Sequence, residues 1–347
     1  MSPSDHAPLA FPWSEPPEPG KAIEIAEGVL WFSITLPMAL KWVNVIALDD
    51  GDSWTIVDTG TYRPDTIEEW QAIIGGPLKG KPISRVIITH HHPDHVGMLG
   101  WLMQNHGAEH WASRTSYLLT RMLVLDEEKY PTEPAIRYWT RAGMPKDKLD
   151  KRRTERPFNF SDIVHPVPVG HVRIQQGDVI RAGGRDWDVH MGNGHAPEHV
   201  TLWSRDDNLV IAGDQVLPTI SPNIGVQPAE PEADPLAEWL EACERLAPLS
   251  REDHLVIGGH KLPFTGLPRR MQDLIANHHT ALDRLAKHIE TPRTAVECFS
   301  PLFKREIVDA IYGLAMVEAY AHLQHLHKIG RATRTLREDG AYTWQAT

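Results

Sequence analysis

The sequence predicts an α/β protein in which two β-sheets pack together with helices outside, followed by a small, mostly helical region. Three observations predict it. Short apolar runs of strand length recur in two similar halves of the chain, separated by a helical or irregular stretch at 113–151. Helix-period segments alternate with those runs. Past Pro268 the texture changes to long apolar stripes at helical spacing.

The elements follow in order. Residues 28–32 and 43–48 are apolar, aromatic and β-branched runs that read as strands. Asp49-Asp50-Gly51-Asp52 is a hairpin turn, and residues 54–58 return as a third strand. Ile67, Trp70, Ile73 and Ile74 recur at helical spacing, which predicts a helix over 65–74. Residues 85–89 form a short β-branched run that reads as a buried strand. Leu118, Leu119, Met122, Leu123 and Leu125 give the 113–151 stretch an apolar helical face. Strand signals resume from Pro166, at 172–174, 187–191, 200–203 and 209–212, and a helix over 235–247 leads into a strand at 254–257. In the tail, Met271, Leu274, Ile275, His278, Leu282, Leu285 and Ile289 make a helical stripe. Further helices are expected at 294–303 and 305–328, and a hairpin around Asp339-Gly340 closes the chain. The expected division is a larger domain over 1–268 and a smaller one over 269–347.

Composition excludes several classes. With 347 residues, 41% of them hydrophobic and 23% charged, the chain has the makings of a globular core and none of the marks of disorder. A net charge of −11 disfavours general affinity for nucleic acid or an anionic membrane, because phosphate contacts need basic surface. Cys243 and Cys298 are the only cysteines, so there is no disulfide framework, and free thiols suit a reducing cytoplasm. Residues 1–20 are rich in proline and acidic side chains and lack the basic-then-apolar pattern of a signal peptide. The stretch 29–40, interrupted by Ser33, Thr35 and Pro37, falls well short of the roughly 20 apolar residues that span a bilayer. A cytoplasmic enzyme without a membrane partner is the expectation.

Twenty histidines are the unusual number, and their spacing carries the chemistry. The strand at 85–89 runs directly into His90-His91-His92-Pro93-Asp94-His95. Residues two apart in an extended chain project to one side, so His90 and His92 are placed to grip one metal together. The turn at Pro93 then redirects Asp94 and His95 towards a neighbouring position. Three further candidates share one placement: His195, Asp214 and His260 each lie just beyond an apolar strand, beside glycines that let the backbone turn closely. Loops at one edge of a rigid sheet are where a site is assembled.

Taken together, Asp58-Thr59-Gly60, His90-x-His92-x-Asp94-His95, His195, Asp214 and His260 resemble the motif set of the metallo-β-lactamase superfamily over roughly residues 22–265. The resemblance implies an αββα sandwich with two metals at one edge. It implies that His90, His92 and His195 hold one ion, that Asp94, His95 and His260 hold the other, and that Asp214 bridges them. Asp58 is implied to orient ligands, and His199 is a further candidate for that role or for the rim. Five imidazoles and two carboxylates suit two Zn2+ ions, with iron and manganese as the other metals imidazole accepts. Superfamily members that reduce oxygen at two irons carry Glu where this chain has His92, which argues against that chemistry. The tail resembles the winged-helix-like domain that follows the catalytic domain in the branch related to a β-lactamase-like protein 2.

The expected reaction is attack by a hydroxide generated at two metals, with Asp94 and Asp214 as the catalytic carboxylates orienting it and moving its proton. No Ser or Cys nucleophile is needed, and both cysteines read as buried small apolar residues. The 113–169 segment is too long for a plain connection and is expected to cover the site, with Tyr117, Tyr138 and Trp139 facing substrate. Ser221 and Asn223, in the loop after Asp214, are expected at the rim. From Arg269 onward 11 Lys and Arg face 9 Asp and Glu, too small an excess for a committed duplex binder. Packing within the protein, or contact with a second copy in a homodimer, suits the tail better. The favoured substrate is a small ester, thioester or lactone; the alternatives are a single-strand-specific endoribonuclease and a non-enzymatic metal-bearing module.

Overall fold

The computed structural model describes residues 6–303 and 305–347. Along the chain lie β1 (Ile23–Ala26), β2 (Val29–Thr35), β3 (Trp42–Asp49), β4 (Trp54–Val57), α1 (Pro64–Gly75), β5 (Ile83–Ile87), α2 (Pro93–Val96), α3 (Leu99–His106), β6 (Glu109–Ser113) and α4 (Arg114–Leu125). Then come α5 (Glu133–Arg141), α6 (Lys146–Thr154), β7 (Val172–Ile174), β8 (Val179–Ala182), β9 (Arg185–Gly192), β10 (His199–Ser204), β11 (Leu209–Gly213), α7 (Pro235–Leu246) and β12 (Leu255–Gly258). The last elements are α8 (Leu267–His288), α9 (Phe299–Leu302), α10 (Tyr312–Lys328), β13 (Ala332–Leu336) and β14 (Tyr342–Ala346).

The first compact unit comprises Met1–Glu127, Asn159–Pro222 and Leu246–Met271. It holds a seven-stranded sheet in the order β1-β2-β3-β4-β5-β6-β7 and a five-stranded sheet in the order β12-β11-β10-β9-β8. Alternate residues of one strand face opposite sides, and here both sides are buried. Trp31, Ile46, Leu48, Val57 and Ile87 of the first sheet meet Trp187, Val189, Val200, Leu202, Ile211 and Ile257 of the second. Their neighbours Phe32, Val45, Ile56 and Val86 face the other way, against Trp70 and Ile73 of α1 and Leu99 and Leu102 of α3. A side chain such as Trp31, fully buried between sheets, stabilises the sandwich by about 2–3 kcal/mol through apolar burial alone.

The second unit comprises Glu128–Phe158, Asn223–Arg245 and Gln272–Thr347. The stretches holding α5, α6 and most of α7 therefore group with the tail helices, whereas the sequence reading placed them in the larger domain. The cause is visible locally: Val296 N–H donates to Ala142 O, Arg141 donates to Gly340 O, and the Gly143 backbone sits so close to Thr294 that a Cβ there would lie 2.4 Å from its Cβ.

Two tail helices are shorter than expected. The one predicted over 294–303 is a 3-10 turn at Val296–Cys298 followed by the single turn α9, with Pro301 unable to donate within it. The one predicted from Arg305 begins at Tyr312, after Val308 in extended backbone and a 3-10 turn at Asp309–Ile311. The short strands β1, β6 and β8 lie outside the strands expected from the sequence. Cys243 and Cys298 are both buried and unbridged, and burial pushes the Cys298 thiol up to about 12. Among the described residues no helix is long and apolar enough to cross a membrane.

Candidate metal centre

Strand direction brings the site together. β4 and β5 run parallel, and β9, β11 and β12 share one direction because β10 is antiparallel to both β9 and β11 while β12 is parallel to β11. The carboxyl ends of the three in the second sheet carry His195, Asp214 and His260; those of β4 and β5 carry Asp58 and the 90–95 motif. Pro93 opens α2, so Asp94 and His95 leave the strand direction within one helical turn.

The seven expected side chains converge. His90 Nε2 lies 3.0 Å from His92 Nδ1 and 3.3 Å from His195 Nε2. Asp94 Oδ2 is 3.2 Å from His260 Nε2 and 3.8 Å from His95 Nε2. Asp214 stands between these sets: Oδ2 is 3.5 Å from His195 Nε2 and 3.3 Å from His260 Nε2, and Oδ1 is 3.6 Å from His95 Nε2. His90, His92 and His195, then Asp94, His95 and His260, then His90, His95 and Asp214 each present ligand atoms within 4.8 Å of one another.

These residues fit a metal. His95 Nε2, His260 Nε2 and Asp214 Oδ1 are buried and make no hydrogen bond, a costly state for polar atoms away from water. Thr89 Oγ1 donates to Asp58 Oδ2 and so accepts from His90 Nδ1, which leaves the His90 Nε2 lone pair aimed at two other ring nitrogens. A cation relieves that crowding.

Electrostatics divides the histidines. Burial, with neighbouring imidazoles, pushes His90 and His92 well below the usual range. Burial works the same way on His95 and His260, but Asp58 and Asp214 hold His95 well above it, and Asp214 with Asp94 holds His260 up at about 10. Burial would raise Asp94 and Asp214 in turn, yet the charges of His95 and His260 keep both low. A metal held by the second triad would compete with protons for His95 and His260, so its apparent affinity would rise with pH.

Asp58 organises both triads. Its carboxylate accepts from Thr89 N (2.9 Å), Thr89 Oγ1 (2.8 Å) and His95 Nδ1 (2.7 Å), so it fixes His95 directly and His90 through the threonine. Those bonds hold it at φ +61°, a left-handed conformation that non-glycine residues seldom adopt. Asp58→Ala is expected to weaken metal affinity about 10–100-fold, read by titration with a competing chelator; unchanged affinity would refute the orienting role. His199 Nε2 accepts the Asp214 N–H at 3.0 Å, so it positions Asp214, and its ring stacks on that of His90 with centroids 4.6 Å apart.

Asn44 was missed in the sequence. It is buried in β3 and saturates its side chain: Nδ2 donates to Gly258 O and Lys261 O, both at 2.7 Å, and Oδ1 accepts from Trp31 Nε1 (2.9 Å) and Trp42 Nε1 (3.0 Å). Beside it His260 Nδ1 donates to Trp42 O at 2.9 Å. Asn44 thus clamps the His260 loop onto the first sheet. A lone amide inside Val43-Asn44-Val45 was the available signal. Asn44→Ala strips four partners, two of them fully buried, and is expected to cost about 2–4 kcal/mol in denaturant unfolding; a loss under about 1 kcal/mol would count against the clamp.

Of the substrate candidates, Tyr117 and Ser221 lie in the first unit and Tyr138, Trp139 and Asn223 in the second. Tyr117 stacks on His171, ring centroids 4.0 Å apart, and its hydroxyl accepts from Gly170 N. Tyr138 is a packing residue of the second unit: it is 3% exposed, and its hydroxyl donates to Val226 O at 2.7 Å, which corrects the expectation that it faces substrate. Trp139, half-buried in the same unit, lies under the Arg152 guanidinium. Asn223 Nδ2 donates to Glu318 Oε2 (2.7 Å) and Leu314 O (3.2 Å), while Ser221 is half-buried in the loop after Asp214.

Comparison with known proteins follows the same outline. Residues 42–260 match the metallo-beta-lactamase superfamily, and residues 282–347 match a family described as the metallo-beta-lactamase-like C-terminal domain. A crystal structure of a beta-lactamase domain protein from Burkholderia ambifaria is 33% identical, covers 98% of each chain and superposes with a TM-score of 0.89. The probable metallo-hydrolase YqjP of Bacillus subtilis is 23% identical over 305 residues, 86% of this chain and 92% of its own. The hydroxyacylglutathione hydrolase GloC of Haemophilus influenzae is 24% identical over 166 residues, 48% of this chain and 62% of its own.

Proposed function

The chain belongs to the metallo-beta-lactamase superfamily, and from that premise we propose that it is a dinuclear zinc hydrolase of a small ester, thioester or lactone. The observation that carries the reading is Asp214 within 3.6 Å of ring nitrogens from His95, His195 and His260, between two triads, with Asp214 Oδ1, His95 Nε2 and His260 Nε2 buried and making no hydrogen bond. His90, His92 and His195 would hold one ion, and Asp94, His95 and His260 the other, with Asp214 touching both. Five imidazoles and two carboxylates favour zinc, with iron or manganese as lesser fits. Such a pair supplies Lewis acidity, lowering the pKa of water towards 7 and polarising a carbonyl.

The chain's own groups do the rest. The Asp94 side chain is 16% exposed against 8% for Asp214, so Asp94 is the carboxylate that meets the attacking water and accepts its proton at Oδ. Asp214 fixes the direction of attack. His90, His95 and His260, each at most 1% exposed, exclude bulk water beneath. The similarity to a hydroxyacylglutathione hydrolase, an enzyme named for a thioester, favours thioesters within the class. The net charge of −11 weighs against an RNA substrate. Ser221 and Tyr117 stay candidates for substrate contact, and a cytoplasmic enzyme acting on small molecules is the setting we propose.

Assays of aryl esters, acylglutathione thioesters and lactones beside a labelled RNA test this, with Asp94→Ala as control. Turnover of a carbonyl substrate that Asp94→Ala loses about 100-fold or more supports it. RNA cleavage with the carbonyl substrates untouched would replace it.

A further inference from the structure

The second unit contains a cavity of about 490 Å³ far richer in cations than a chain of net charge −11 leads one to expect. Lys148, Lys151 and Arg152 lie three and four residues apart on α6 and share one helical face, and all three line it. Trp139, Phe158 and Tyr312 supply aromatic walls. The Arg152 guanidinium carbon is 5.4 Å from the Trp139 ring centroid, and Lys148 Nζ is 5.1 Å from that of Tyr312. Acids are present too. Lys148 pairs with Asp309, and Lys151 Nζ is 3.7 Å from Glu155. Arg152 has no carboxylate within ion-pair distance among the described residues; it lies over the indole and acts on Asp309 only at longer range. Phe158, at the cavity wall, keeps 60% of its surface exposed.

A solvated helix face accounts for lysines and arginines but not for three rings around a concave volume. Cations interleaved with aromatic faces recognise phosphate and base at once: the charges take the phosphate oxygens, and the rings offer a stacking surface worth about 1–3 kcal/mol per base. The volume falls in the roughly 300–1,000 Å³ range of small-molecule sites. A long polyanion would meet the net charge of the whole chain, whereas a single nucleotide meets only the local field.

We infer that this cavity binds a nucleotide-type ligand, one aromatic base carrying a short phosphate chain, with the base against Trp139 and Phe158 and the phosphates on Lys151 and Arg152. The binding is independent of the metal-centre chemistry. The test is titration of the full-length, metal-loaded protein with ADP at low ionic strength, followed by calorimetry and tryptophan fluorescence. Pyrophosphate, adenosine and a short oligouridylate serve as comparison probes. Saturable ADP binding with a Kd at or below about 100 μM is expected, weakening as salt rises. Arg152→Gln and Phe158→Ala should each weaken it about tenfold or more, and Asp214→Asn should leave it intact. Lys151→Gln, on the exposed turn of α6, supplies a second charge variant should Arg152→Gln misfold. No saturation by about 5 mM ADP, pyrophosphate binding as tightly as ADP, loss of binding in Asp214→Asn, or tighter binding of the oligouridylate would each overturn the inference.

Discussion

Asp214→Asn is expected to lower kcat/KM on a carbonyl substrate by about 1,000-fold or more, equivalent to about 4 kcal/mol of transition-state stabilisation. The amide keeps the shape of the side chain and removes its charge. Asp214 Oδ1 is buried without a hydrogen bond, and the two oxygens lie 3.3–3.6 Å from three ring nitrogens, so no other group is placed to make good the loss. Its carboxylate also joins Asp94 in holding the protons of His95 and His260 in the metal-free chain. Bound metal per chain should fall together with turnover, while circular dichroism stays unchanged. An Asp214→Asn protein with full metal content and near-native turnover would sink both the assignment of the centre and the reaction built on it.

Acid is expected to destabilise the protein steeply, by roughly 2–3 kcal/mol per pH unit once pH falls below about 6 and towards pH 5. His110, His278 and His322 are each 2% exposed, and burial pushes them down to about 3, about 3 and about 4. His278 Nδ1 lies 3.2 Å from His322 Nε2, so a proton on one disfavours a proton on the other. All three folded values lie below the unfolded value of about 6.5, so their contribution is intact above that pH and is lost as pH falls through the window below it. Glu318 acts in the opposite sense: burial raises it to about 7, so the folded chain takes up one proton before the unfolded chain does and offsets one histidine. Two uncompensated histidines at about 1.4 kcal/mol per unit each give the slope. Against a total stability of about 5–15 kcal/mol, a shift of that size unfolds the chain well above pH 3. Urea midpoints across the window measure it, and His278→Leu should flatten the curve by about half. Stability that stays level from about pH 6.5 to about pH 5 would show that these imidazoles accept protons in place.

The legible and illegible parts of this chain differ in the range of their causes. His195, Asp214 and His260 could be placed because each follows an apolar strand and a glycine, a pattern local to a few residues. The 90–95 motif was legible for the same reason. Asn44 could not be placed, because its partners at Gly258 and Lys261 are more than 200 residues away and a single polar residue in a strand has many explanations. Tyr138 was misread in the reverse direction: an aromatic in a long insertion looks like a pocket wall, but its partner Val226 lies in another distant segment. The helix expected over 294–303 failed because apolar composition was read across Pro301. The two-sheet sandwich itself was visible because strands buried on both faces leave continuous apolar runs.

The candidate ligands come from loops spread from residue 90 to residue 260, at the ends of strands in both sheets. A ribosome therefore releases most of the first unit before His260 is free to join, and a half-made chain offers an ion only the weak grip of a flexible peptide. Selectivity for the metal is exercised by finished architecture, after synthesis. An ion held there would leave only by shedding ligands from both sheets, so its residence time would report on how firmly the strand ends of the two sheets stay together.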